Sequence, residues 1–142
     1  MALDRRAFLG LGAAGALGVV LPDAAPAALP TRAARALRSA VRGPVFFPRT
    51  PGYGSERLVY NTRYDGTRPQ AVVQPLDTRD VQAVVRWASR FGVRVVARAG
   101  GHSYAGYSTI GNGVVVDLSR LRGIGVSGGR ATVGAGAQLI DV

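Results

Sequence analysis

The segment over residues 71–97 constrains the fold more than any other part of this chain. It contains the apolar run AVV, the amphipathic stretch DTRDVQAVVRWASRFG and most of a second apolar run, VRVVARA. Asp77 or Thr78 can cap a helix here, Asp80 favours the positive end of its dipole, and Gly92 suits a left-handed stop. One helix face is apolar at spacings of three and four, formed by Val81, Val84, Val85, Ala88 and Phe91. The pattern predicts a β-α-β unit whose two strands are parallel neighbours beneath the helix.

The chain before this unit predicts one helix and one irregular arm. TRAARALRSAVRG, residues 31–43, reads as a short helix with Thr31 as its cap and its arginines on a solvated face. Residues 45–69 are rich in Pro, Gly and Tyr and lack a sustained period. We therefore expect an extended arm with turns at Pro51-Gly52 and Asp65-Gly66.

The chain after the unit predicts further strands. GVVVDLS and ATVGAGA read as two short strands, and the connection between them contains a tight turn at Gly128-Gly129. A β-α-β unit followed by short strands defines an α+β fold class. The final residues, ATVGAGAQLIDV, stop within an apolar pattern, and we expect the natural protein to continue beyond them.

Residues 1–27 predict an export signal. Arg5 and Arg6 precede an apolar run over residues 7–21, and Ala25-Pro26-Ala27 supplies a small-residue cleavage pattern. The run is shorter than the roughly 20 residues that span a bilayer, so we expect no stable membrane span. DRRAFLG resembles a twin-arginine signature, which predicts export of the folded protein by the twin-arginine machinery to the periplasm, cell envelope or medium. A plain secretory signal and an uncleaved anchor remain alternatives.

Composition narrows the chemistry. The chain has no cysteine and one histidine, which excludes a thiol nucleophile and a structural zinc site within it, and we expect no metal. The net charge is +10, and all 18 basic residues are arginine. The arginines are scattered and do not alternate with aromatic residues, so we expect no nucleic-acid partner.

The single histidine lies in the glycine-rich stretch RAGGHSYAGYST, directly after the second predicted strand. Gly100 and Gly101 allow positive φ and close approach to a ligand, and successive N–H groups in such a turn can converge on a phosphate. Ser103 adds a hydroxyl. The stretch lacks the Gly-Lys-Ser/Thr of a Walker loop and the G-x-G-x-x-G spacing of a Rossmann fingerprint. On these residues alone it is a generic anion-binding loop.

The stretch RAGGHSYAGYST resembles the signature loop of FAD-linked oxidases with a PCMH-type, vanillyl-alcohol-oxidase-like domain, most of all the berberine-bridge-enzyme-like branch. GVVVDLSRLRGI and ATVGAGAQLIDV follow in the order typical of that branch, and VYNTRYDGTRP precedes with Asn61 at the usual place. The resemblance covers about residues 45–142. It implies FAD covalently bound at its 8α-methyl carbon through His102, with a noncovalent flavin and a structural histidine as alternatives.

The resemblance also implies further flavin contacts. Arg98 either assists the pyrophosphate or pairs with Asp117 to join neighbouring strands. Tyr104 and Tyr107 are either cofactor contacts or packing residues. The other positions that match FAD-binding residues of the family are glycines and a serine: Gly100, Gly101, Ser103, Gly134 and Gly136.

The implied activity is hydride transfer from a small-molecule C–H bond to the flavin, with molecular oxygen as the reoxidant. The catalytic base is expected beyond residue 142. The predicted organisation is a signal at 1–27, a helix and arm at 28–63 and a truncated FAD-binding domain at 64–142. A noncovalent flavin- or nucleotide-binding module, or a basic cell-envelope binding protein, are the alternatives.

Overall fold

The computed structural model describes residues 27–142, so the predicted export signal lies almost wholly outside the described part. The helices are α1 (Thr31–Ala40), α2 (Tyr53–Glu56) and α3 (Thr78–Phe91), and single 3₁₀ turns occupy Thr62–Tyr64 and Leu139–Asp141. The strands are β1 (Val45–Phe46), β2 (Ala71–Val73), β3 (Val95–Arg98), β4 (Val114–Asp117), β5 (Ile124–Ser127) and β6 (Arg130–Val133). The α+β fold class is confirmed.

Four strands form one sheet in the order β1-β2-β4-β3. β2 and β3 both run parallel to β4, and β1 pairs antiparallel with β2 at the edge. The prediction that β2 and β3 are neighbours is therefore wrong, because β4 inserts between them. Its run of valines explains this position, since Val114 and Val115 are fully buried and a strand covered on both faces suits the centre of a sheet.

Helices α1 and α3 cover one face of this sheet. Ala33 and Leu37 of α1 pack with Val84, Trp87 and Ala88 of α3 against alternate residues of β2 and β4. The indole N–H of Trp87 donates to the carbonyl of Ala33 at 2.9 Å, which joins the two helices. Val85 was predicted to face the core but is 53% exposed, because the helix turns Trp87 inward and Val85 outward.

Local signals set the ends of α3 as predicted. The carboxylate of Asp77 accepts the N–H groups of Arg79 and Asp80, and Gly92 is left-handed with φ of 64°. In α1, by contrast, Thr31 is the first helical residue and Pro30 occupies the cap position without a side-chain hydrogen bond. The prediction of Thr31 as the cap is therefore wrong, since the carbonyl of Pro30 already accepts a helical hydrogen bond, from the N–H of Ala34 at 2.9 Å.

The arm covers the opposite face of the sheet. Side chains alternate along a strand, so Val72 and Val115 point away from the helices, and both are fully buried. The Tyr53 hydroxyl donates to the Pro69 carbonyl at 2.6 Å, and burial raises the pKa of this phenol. The arm is thus more ordered than the sequence indicated, since it contributes β1 and α2 and has turns at both predicted places.

β5 and β6 form a separate two-stranded hairpin. Gly128 and Gly129 have φ of 56° and 73° at its tip, as the predicted tight turn requires. Within residues 27–142, no helix combines the length and apolar character that a membrane crossing demands.

Candidate functional site

The site lies at one edge of the sheet, where three parallel strands end. β2, β3 and β4 run in the same direction, so the segments that follow Val73, Arg98 and Asp117 emerge together. Such carboxyl edges are where ligands bind in sheets of this kind. The glycine-rich loop from Ala99 to Thr109 follows β3 and contributes the only histidine of the chain.

A buried ion pair anchors the start of this loop. Arg98 and Asp117 are register partners on β3 and β4, and their side chains are only 5% and 8% exposed. Nε and Nη2 of Arg98 donate to the same oxygen of Asp117 at 2.9 and 2.6 Å. The guanidinium also donates to the backbone carbonyls of Glu56 and Leu58. Arg98 therefore pairs with Asp117 to join neighbouring strands, which is one of its two predicted roles. Its contact with a pyrophosphate stays a prediction.

The loop backbone presents donors that no protein group accepts. Gly101 has φ of 72°, and its carbonyl accepts the N–H of Tyr60 at 3.2 Å. Within residues 27–142, the N–H groups of Gly100, Gly101, His102 and Ser103 find no backbone or side-chain acceptor. Consecutive unpaired donors around a left-handed glycine form the type of nest that binds a phosphate oxygen.

His102 is exposed and its ring orientation is fixed from two sides. The imidazole stacks on the phenol ring of Tyr60, with centroids 4.7 Å apart and planes at 26°. It also lies over Gly100, where a Cβ would come within 2.8 Å of Nδ1 of His102. Gly100 is thus required by the position of the histidine ring. Sequence reasoning missed Tyr60, since the sequence gives no sign that the arm returns to this loop.

The rest of the loop folds on itself and on the arm. The Ser103 hydroxyl accepts the N–H of Tyr107 at 3.1 Å, so it supports the loop turn. Gly106 has φ of 76°, and a Cβ there would lie 2.5 Å from the ring of Tyr64. The Tyr64 hydroxyl donates to the carbonyl of Tyr104 at 3.1 Å. Tyr104 and Tyr107 are 90% and 80% exposed, so neither packs within the described chain.

Asn61 and the two later glycines have local structural roles. The Asn61 side chain accepts the N–H of Arg63 and begins the 3₁₀ turn beside Tyr60. A Cβ on Gly134 would lie 2.1 Å from the carbonyl oxygen of Leu121, and one on Gly136 would lie 1.8 Å from that of Leu118. Close backbone packing therefore explains both glycines, and their contact with a flavin stays a prediction.

These residues fit a dinucleotide such as FAD. The unpaired N–H groups suit the pyrophosphate, and the exposed imidazole of His102 is a nucleophile at the same edge. The Thr109 hydroxyl is buried and has no partner within the described residues, which leaves a polar group at the end of the loop for a ligand. Fold and loop together define an α+β domain that binds a phosphate-bearing cofactor.

The comparisons identify the family. The FAD binding domain family matches residues 69–142. (R)-6-hydroxynicotine oxidase of Paenarthrobacter nicotinovorans is 32% identical over 98 residues, which are 68% of this chain and 21% of that protein. Berberine bridge enzyme-like Cyn d 4 of Cynodon dactylon is 35% identical over 104 residues, 66% of this chain and 20% of that protein.

Solved structures agree with this assignment. BBE-like 1 of Physcomitrella patens superposes with a TM-score of 0.65 at 35% identity, covering 73% of this chain and 23% of that one. Phl p 4.0202, a glucose dehydrogenase, gives 0.69 at 27% identity over 78% of this chain and 25% of that one. The chain belongs to the PCMH-type FAD-binding domains of the berberine-bridge-like and 6-hydroxynicotine oxidase family. It spans about a fifth of the length of the curated relatives it matches.

Proposed function

We propose that the protein containing this chain is an exported oxidoreductase whose FAD is covalently held through His102. The observation that carries the proposal is the juxtaposition of an oriented, exposed imidazole with the unpaired N–H groups of Gly100, Gly101 and Ser103. When bound, FAD would supply hydride acceptance from a small-molecule C–H bond and reoxidation by oxygen. Membership of a family of FAD-linked oxidoreductases supports an oxidoreductase activity.

The residues of this chain have two roles in the proposed site: some would anchor the pyrophosphate, and others orient the imidazole of His102. The N–H groups of residues 100–103 would hold the pyrophosphate, and Ser103 keeps its turn closed through Tyr107. Tyr60 and Gly100 restrict the imidazole of His102 to one plane, so that less rotational freedom is lost when its nitrogen bonds to the 8α carbon. Arg98 lies directly before the loop and joins the end of β3 both to Asp117 of β4 and to the arm at Leu58.

Denaturation of the natural, full-length protein tests the covalent link. We expect yellow colour to stay with the peptide containing His102 after acid precipitation, and to be lost from the His102→Ala variant. Arg130→Ala is the control, since it changes an exposed side chain on the β5–β6 hairpin, outside the loop of His102. Colour released from the wild-type protein by acid would establish a noncovalent flavin. No colour in any sample would favour the basic envelope-binding alternative.

Export by the twin-arginine route is the second part of the proposal. It rests on the DRRAFLG pattern and on the apolar run after it. The conservative pair Arg5→Lys with Arg6→Lys keeps the charge, so a plain secretory signal would still function. We expect this pair to hold the folded protein in the cytoplasm, and undiminished export of it would contradict the twin-arginine route.

A further inference from the structure

A cavity opens at the same edge of the sheet as the loop of His102, beside the ends of β2 and β4. Its volume is about 560 Å³, and none of its lining residues belongs to the loop of His102. The lining combines two arginines with polar groups and one leucine: Glu56, Gln74, Leu76, Ser119, Arg120 and Arg122.

Both arginines of this cavity are held through one nitrogen. Nε of Arg120 donates to Oε1 of Gln74 at 3.0 Å, and Nε of Arg122 donates to the carbonyl of Ser119 at 2.7 Å. Among residues 27–142, no acceptor receives the terminal Nη groups of either side chain. A guanidinium anchored at Nε keeps its pair of Nη donors for an oxyanion, and paired donors match a phosphate group.

The backbone that carries these arginines is fixed as well. The N–H of Ser119 donates to Oδ1 of Asp117 at 2.9 Å, and the N–H of Leu121 donates to the carbonyl of Leu118 at 2.8 Å. Gly136 packs against this turn from behind, with its N–H on the carbonyl of Leu121. The two guanidinium groups therefore start from one rigid turn, so little order must be gained when a ligand binds.

Gln74 and Glu56 form the remaining wall of the cavity, and Glu56 determines how positive its net charge is. Gln74 is 7% exposed and bridges the two halves of the cavity, because its amide nitrogen donates to the Glu56 carboxylate at 2.7 Å while its oxygen accepts from Arg120. Glu56 places one negative charge opposite two positive ones. The cavity is thus net positive, and the glutamate lowers its affinity for an anion.

We propose that this cavity is a second anion site, for a phosphate group on a small ligand, distinct from the flavin loop. Arg120 and Arg122 bind the phosphate oxygens through their Nη donors, and the Ser119 hydroxyl adds a third donor. Both guanidinium groups are exposed, so binding is weak and depends on salt.

Titration of inorganic phosphate into the full chain, followed by ³¹P NMR and calorimetry, tests the site. We expect saturable binding that weakens by about tenfold or more when Arg120→Gln and Arg122→Gln are combined, since each guanidinium forms charge-assisted hydrogen bonds. The pair Arg63→Gln and Arg130→Gln is the control, because it removes the same charge from exposed positions elsewhere. Equal loss in both pairs, or no saturable binding, would overturn the proposal in favour of diffuse attraction.

Two single variants test the charge of the cavity and distinguish phosphate binding there from phosphate binding in the flavin loop. Glu56→Gln retains an acceptor for Gln74 but removes the negative charge, so we expect phosphate to bind several-fold more tightly, and unchanged or weaker binding would contradict the assignment. Gly101→Ala disturbs the left-handed nest of the flavin loop. We expect phosphate binding to survive it. Its loss would place the phosphate in the flavin loop instead. Circular dichroism confirms folding of each variant.

Discussion

Removal of the Arg98–Asp117 pair should show how strongly one buried contact supports the cofactor loop. Arg98→Met keeps most of the aliphatic stem but leaves the Asp117 carboxylate 8% exposed and without its cation. Breaking a buried pair on one side costs about 3–5 kcal/mol, and this magnitude applies because both donors reach a single oxygen within 2.9 Å. The carbonyls of Glu56 and Leu58 lose their donor in the same variant.

A double-mutant cycle measures the coupling directly. Asp117→Leu keeps the branched shape of the side chain, and the double variant leaves no unpaired charge at this position. We expect it to be less destabilised than the sum of the single variants by about 2 kcal/mol or more. Urea unfolding followed by the fluorescence of Trp87, the only tryptophan and 4% exposed, provides the free energies.

Additivity would refute this reasoning. If the double variant equals the sum of the single variants within about 0.5 kcal/mol, Arg98 and Asp117 act independently and the pair is not a unit. Arg98→Lys guards against variants that fail to fold, since it keeps the charge but lacks the fork that reaches Asp117 and two carbonyls together. Its expected stability is intermediate, and wild-type stability would show that charge alone suffices.

Two further perturbations follow from the packing. Asp80 is 3% exposed; burial raises its pKa, but hydrogen bonds from three backbone N–H groups outweigh this and hold the pKa below its ordinary value. The ionised Asp80 carboxylate therefore stabilises the fold above about pH 4, and this contribution is lost as pH falls through the lowered pKa. Asp80→Asn should lower the free energy of unfolding in urea by about 2–3 kcal/mol at pH 7, and the difference from wild type should narrow in acid. A pH-independent difference would contradict this assignment. Gly136→Ala should cost about 1–3 kcal/mol in thermal unfolding, because its Cβ would meet the carbonyl of Leu118, whereas Gly125→Ala meets nothing within 4 Å and serves as control; equal effects would argue against backbone packing as the reason for Gly136.

The features that the sequence predicted well depend on neighbours along the chain. The ends of α3 follow from Asp77 and Gly92, which act on groups within four residues. The glycine turn of the β5–β6 hairpin is equally local. The loop of His102 was found because its residue types are unusual and adjacent, and the comparisons confirm the family that it suggested.

The features that were missed depend on contacts between distant segments. Nothing local to β2 or β3 indicates that β4 will enter between them. β1 has two residues, too few for any alternation to be visible. Tyr60 stacks on His102 close to the carbonyls of Glu56 and Leu58, which accept hydrogen bonds from Arg98 across about 40 residues of chain.

The hydrogen bonds between Arg98, directly before the loop, and the carbonyls of the arm also determine when the site can form. Arg98 and Leu58 are 40 residues apart in the chain, so their hydrogen bond closes a long segment and is opposed by the corresponding loss of chain entropy. Contacts of high sequence separation assemble slowly, after the local helix and turns. We therefore expect the orientation of His102 to be a late product of folding, completed only when the arm has docked. Substitutions in the arm should therefore delay maturation of the holoprotein even where they leave every residue of the loop intact.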